Sequence, residues 1–123
     1  MIGYVTLGTN DLGRAEKFYD ELLAELGAKR VMSNERMRFY GVPGKPMFVV
    51  CRPFDGKAAN VGNGTMVALA ADSKESVDRI HRKAIALGAR DEGAPGPRGN
   101  GFYGGYFRDP DGNKLVAFVL GAS

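Results

Sequence analysis

Few of the 123 residues are of kinds that do chemistry, and none of these reads as reactive by itself. The single cysteine, Cys51, closes the apolar run MFVVC with no histidine near it in sequence to favour a thiolate, so it reads as a buried, inert thiol. The single histidine, His81, sits among Arg79, Arg82 and Lys83 and reads as a solvated helix residue rather than a ligand or base. GNGFYG (99 to 104) satisfies G-x-G-x-x-G, but it follows a Pro-rich stretch and leads into a strand pattern instead of opening a helix, so no dinucleotide site is inferred from it. DPDGN (109 to 113) resembles the start of a calcium loop. Its glycine comes too early, however, and Leu120 stands where the closing carboxylate belongs, so it reads as a turn, with Pro110 fixing φ and Gly112 free to take positive φ. RMRFY (36 to 40) interleaves arginines with aromatics, yet a period of two is also that of a strand. The net charge of +3 is scattered along the chain, and no nucleic-acid partner is expected.

The elements that must position any site are clearer. Residues 11 to 27 place Leu12, Ala15, Phe18, Tyr19, Leu22, Leu23 and Leu26 on one helical stripe, with Asp11 as cap and Gly27 as stop. Residues 73 to 88 repeat the design with Val77, Ile80, Ala84 and Leu87, capped by Asp72 or Ser73 and stopped by Gly88. Each helix follows a strand-like run (IGYVTLG; GTMVALAA) and precedes three more (KRVMS, RMRFYG, PMFVVC; ARDEG, FYGGYF, KLVAFVL). The chain therefore reads as two βαβββ modules, about 1 to 52 and 64 to 120, joined by the turn-rich connector 53 to 63 into a single α+β domain over 1–123.

The repeat can be measured. Asp11 and Asp72 are 61 positions apart, as are Leu26 and Leu87, whereas Gly44 and Gly112 are 68 apart, as are Phe48 and Val116. Seven extra residues are thus expected in the second half, at GAPGPRGNG (93 to 101), which is too rich in Gly and Pro for regular structure and reads as a candidate lid loop. Alternation assigns Val5, Leu7, Met47, Val49, Val67, Leu69, Leu115, Ala117 and Val119 to the helix-facing side. It leaves Tyr4, Thr6, Phe48, Val50, Met66, Ala68, Val116 and Phe118 on the other.

With the repeat, the opening YVTLGTNDLGRAEKFYDELLAELGA, the strand entry GNGTMVALAADS and the ending YFRDPDGNKLVAF, essentially the whole chain resembles the glyoxalase/bleomycin-resistance/dioxygenase family, also called vicinal oxygen chelate. The resemblance implies one curved eight-stranded mixed sheet around a cup, commonly in a homodimer. Metal-using members hold a divalent ion there, on histidines of the first strands and carboxylates of the last. The corresponding positions in this sequence are Tyr4, Met66, Phe48 and Val116. Only Tyr4 offers oxygen, and a catalytic divalent ion needs about three protein donors. The expectation is therefore no metal and no cofactor.

An apolar recess with a few polar groups suits an organic ligand. The expected function is that of a metal-free binder of a small neutral or anionic molecule, contacted by Tyr4, Thr6, Arg38, Phe48, Met66, Arg98, Tyr106, Val116 and Phe118, with Arg52 a further possible contact. Two alternatives stand beside it. One is a glyoxalase-like lyase or isomerase working without the usual metal, with Tyr4 as acid or Tyr103 and Tyr106 as positioning groups; the other is a fold whose recess is filled by its own side chains. MIGYVTLGTND lacks the pattern of a secretory signal and no apolar run approaches a membrane span, so a cytoplasmic protein with no membrane partner is expected.

Overall fold

Asp11 begins helix α1 (Leu12–Ala24), its Oδ1 accepting the Arg14 N–H at 3.0 Å, and Gly27 turns the chain away with φ of 74°. Ser73 does the same for α2 (Lys74–Ala86), its Oγ accepting the Ser76 N–H at 3.1 Å, while Gly88 ends it with φ of 104°. These helices belong to a computed structural model that describes residues 1 to 121. In chain order, β1 (Tyr4–Gly8), α1, β2 (Lys29–Ser33), β3 (Met37–Gly41) and β4 (Met47–Cys51) make up the first unit, Met1–Val61. β5 (Val67–Ala70), α2, β6 (Arg90–Pro97), β7 (Phe102–Arg108) and β8 (Lys114–Leu120) follow in the second, which begins at Gly62. Both are βαβββ modules of the α+β class.

Hydrogen bonding groups the strands into two sheets of four, ordered β1-β4-β3-β2 and β5-β8-β7-β6, each with one parallel pair, β1 with β4 and β5 with β8. In the first unit the helix covers Val5, Leu7, Tyr40, Phe48 and Val50. The Tyr19 ring lies 4.7 Å from Phe48 and 6.4 Å from Tyr40, and the Tyr40 hydroxyl donates to Asp20 Oδ1 at 2.7 Å. Arg30 and Arg38 extend this network. Arg30 reaches Glu16 at 2.7 Å and Asp20 at 2.9 Å, and Arg38 reaches the same Glu16 oxygen at 2.8 Å. The far face of the sheet carries a core of Phe39, Val49 and Cys51, with Met37 and Met47 packed on it and Tyr4 edge-on to Phe39 at 5.7 Å.

This reverses the expectation for β4. Phe48 and Val50 face the helix, while Met47 and Val49 face away from it. The cause is the turn. Both modules join their last two strands through five residues, 42 to 46 and 109 to 113, and the strands on either side are 67 positions apart (108 − 41 and 114 − 47). Val42-Pro43 and Asp109-Pro110 keep that spacing, but Gly44 is third in its loop and Gly112 fourth. Matching the glycines shifts the register by one residue and so inverts every side chain of the strand. The counterpart of Val116 is Val49, and the second half has six extra residues rather than seven.

Two further expectations are corrected. Residues 93 to 101 are not a lid: β6 stays paired with β7 as far as Pro97 opposite Tyr103, through two register irregularities, and a short turn at 98 to 101 closes the hairpin. Pro95 and Pro97 fit because β6 is an edge strand, whose outer N–H groups need no partner in the sheet. His81 is not solvated; it is 6% exposed, with Nε2 3.1 Å from both Asp91 Oδ1 and the Tyr106 carbonyl and its ring 6.2 Å from Phe107. It is buried because Gly105, opposite it, has no side chain, and a Cβ there would come within 3.0 Å of the imidazole.

Candidate functional site

The metal that the resemblance implies would take its donors where each module pairs its first and last strands, and in both modules those positions are poor in donors. In the first unit they are Tyr4, Thr6, Met47 and Val49. Phe48, whose ring is packed on Tyr19, is not among them. In the second unit they are Met66, just before β5, then Ala68 and Val116, a directly paired couple. One phenol, one hydroxyl and two thioethers are a poor donor set for a divalent cation. Among the described residues no three His, Cys, Asp or Glu side chains gather into a group. The residues present do not fit the metal that the resemblance implies.

The far face of the second sheet is better suited to an organic molecule. Strand alternation puts Phe102, Gly104, Tyr106 and Arg108 of β7 on the same side as Lys114, Val116 and Phe118 of β8, with Tyr106 opposite Val116. Phe102 and Phe118 stack with ring centres 5.2 Å apart and planes inclined by 1°. Gly104 makes room for this: a Cβ there would lie 2.7 Å from Phe102 Cε1 and 3.1 Å from Val116 Cγ2. At one end of this apolar strip, Arg98 and Lys114 each hold a cation 5.4 Å from the centre of the Tyr106 ring. Arg98 is anchored by donating to the Ala94 carbonyl at 2.6 Å. Arg108 is turned to Glu92 at 2.8 Å, and its hydrogen bond is the main reason that this carboxyl lies below its usual range. Two cations thus border aromatic surface and, among the described residues, neither is hydrogen-bonded to a carboxylate, an arrangement that favours a flat molecule carrying negative charge.

Of the residues expected to contact a ligand, Arg98, Tyr106, Val116 and Phe118 come together here. Tyr4 and Thr6 lie exposed on the far face of the first sheet, and Met66 is 42% exposed at the entry to β5. Phe48 and Arg38 do not belong with them, since both are held against α1. Tyr103 is also on the helix side, where its hydroxyl donates to Asp78 Oδ1 at 2.7 Å, a bond that raises its pKa. Phe102, Gly104 and Lys114 were missed. The signal for them was the same period of two that located Tyr106 and Val116, read along FYGGYF and KLVAFVL.

Residues 1–117 match the model of the Glyoxalase/Bleomycin resistance protein/Dioxygenase superfamily. Among solved structures, the chain is similar to a glyoxalase/bleomycin resistance protein from Albidiferax ferrireducens T118, with 40% identity, coverage of 97% of this chain and 98% of that one, and a TM-score of 0.90. It is similar also to a lactoylglutathione lyase from Agrobacterium tumefaciens, with 26% identity, 97% and 92% coverage and a TM-score of 0.72. A glyoxalase/bleomycin resistance protein/dioxygenase family enzyme from Burkholderia phytofirmans PsJN, 20% identical with 96% and 97% coverage and a TM-score of 0.78, shares the fold. A search of curated proteins found no match.

Proposed function

The chain belongs to the glyoxalase/bleomycin resistance protein/dioxygenase superfamily, and from that premise we propose that it binds a small organic molecule without a metal, with the far face of the second sheet as the contact surface. The observation that carries this reading is the cation-bordered aromatic strip of Tyr106, Phe102 and Phe118, lying over the buried Val116, with Arg98 and Lys114 at its end. A neutral or anionic molecule with a flat apolar part is the ligand class it favours: the rings supply area and the cations supply orientation. A lyase or isomerase of the metal-using kind would need about three good donors, and of Tyr4, Val49, Met66, Ala68 and Val116 only Tyr4 offers oxygen. The reading includes a homodimer and a cytoplasmic location. The homodimer follows the family resemblance, and no helix among the described residues is long and apolar enough to cross a membrane.

The test is a titration of isotope-labelled protein with a panel of neutral and anionic aromatic compounds, followed by amide chemical shifts. At least one compound should give saturable shifts on β7 and β8 around Tyr106, Val116 and Phe118, and its affinity should fall about tenfold in a Tyr106→Ala, Lys114→Ala double variant. A panel that never perturbs these strands, or that binds the folded double variant equally well, would end the proposal.

A further inference from the structure

We propose that the first unit holds a separate site for an organic anion carrying a flat ring, in the bay between Asn10, Arg36, Arg52 and the connector at residues 53 to 58. The bay encloses about 480 Å³, and its lining includes three cations, Arg36, Arg52 and Lys57, against one carboxylate, Glu35. Among the described residues none of the three cations forms an ion pair. Both guanidinium groups are instead aimed by main-chain carbonyls, since Arg36 Nη1 donates to the Arg52 carbonyl at 2.9 Å and Arg52 Nη2 donates to that of Glu35. A carbonyl fixes a guanidinium without neutralising it, so positive charge is left facing the bay.

Phe54 supplies the surface for a ring. It is 90% exposed, an unfavourable place for a phenyl group, and the Arg36 guanidinium stands 5.4 Å from its centre. A planar anion could lie on Phe54 with its carboxylate or phosphate toward Arg36, Arg52 and Lys57.

The wall that carries Phe54 is preformed. Gly56 donates to the Pro53 carbonyl at 3.1 Å and the Lys57 N–H to Asp55 Oδ1 at 2.9 Å. The Asn10 side chain clips the connector by accepting from the Ala59 N–H at 2.7 Å and donating to its carbonyl at 3.2 Å. Gly8 permits this close approach, because a Cβ there would meet that of Ala59 at 3.0 Å. A wall already ordered costs little entropy when a ligand arrives.

Phenyl phosphate and benzoate, each titrated to about 10 mM into the labelled full chain, are the probes, with inorganic phosphate and benzyl alcohol as controls. At least one ring anion should give saturable shifts at the amides of Asn10, Arg36, Phe54 and Lys57, and whichever binds tighter identifies the head group. Phe54→Ala and Lys57→Ala alter exposed side chains, and each should weaken that binding severalfold. The proposal is overturned if neither ring anion shifts these amides, if inorganic phosphate or benzyl alcohol binds equally well, or if the two variants bind like the parent. Shifts confined to Tyr106, Val116 and Phe118 would sink this site while leaving the proposed surface of the second unit intact.

Discussion

Tyr40 shows how much one hydroxyl can organise. Its ring is buried against Tyr19, its O–H donates to Asp20, and Asp20 in turn holds Arg30. Burial, then the bond to Asp20, raise its pKa well above the usual phenol range, which favours the protonated, donating form. Tyr40→Phe should lower stability by about 1 kcal/mol in urea denaturation, because a buried hydrogen bond is lost while the ring's packing stays. No change, or a gain, would mean that Asp20 is satisfied without it. Gly104→Ala should cost more, about 1 to 3 kcal/mol, since the new methyl overlaps Phe102 and crowds Val116. It should also separate the Phe102 and Phe118 rings, which aromatic proton shifts would report. At this scale the sequence was only partly legible. The fate of Cys51 followed from its apolar neighbours. That of His81 did not, because its burial depends on Gly105, a residue 24 positions away whose lack of a side chain has no local signature (105 − 81).

Among the elements, the described residues of the second unit include three carboxylates acidified by the fold. Asp72 is lowered chiefly by hydrogen bonds from Ser76 and Ser73 at the start of α2, Asp91 by the Gly93 N–H and then His81, and Glu92 by Arg108. A carboxyl whose folded pKa lies below its unfolded value stabilises the fold above the ordinary range, here 3.8 for the aspartates and 4.5 for the glutamate, and that contribution is lost as pH falls through the folded value. The thermal midpoint should therefore drop as pH falls from about 6 to about 3, and Asp91→Asn with Glu92→Gln should flatten that drop, because an unfolded chain no longer takes up those protons. Parallel curves for parent and double variant would show that these residues are not linked to folding. Both helices and all eight strands could be expected from capping residues and hydrophobic period. The length of β6 could not, because Gly and Pro discourage a strand locally while the pairing with β7 and the edge position permit one.

For the molecule as a whole, the donor-poor strand positions predict that EDTA leaves the melting temperature unchanged and that elemental analysis finds well below one transition metal per chain. About one per chain, with destabilisation by chelator, would contradict the binding proposal. Sedimentation should give twice the mass of a 13.2 kDa chain if the proposed homodimer forms. The two halves also differ in a way that bears on their descent. Their final turns are equally long, yet the glycine occupies a different place in each, and Gly44 and Gly112 both adopt positive φ, at 77° and 92°. If one module arose by copying the other, a flexible residue has migrated one step along the turn while every side chain of the following strand kept its side. A genetic insertion of even one codon in that turn would do what the migration did not, exchanging the helix-facing and far-facing side chains of a whole strand. Turn length is therefore what such a lineage must inherit unchanged, and the site of its bend is what it can let drift.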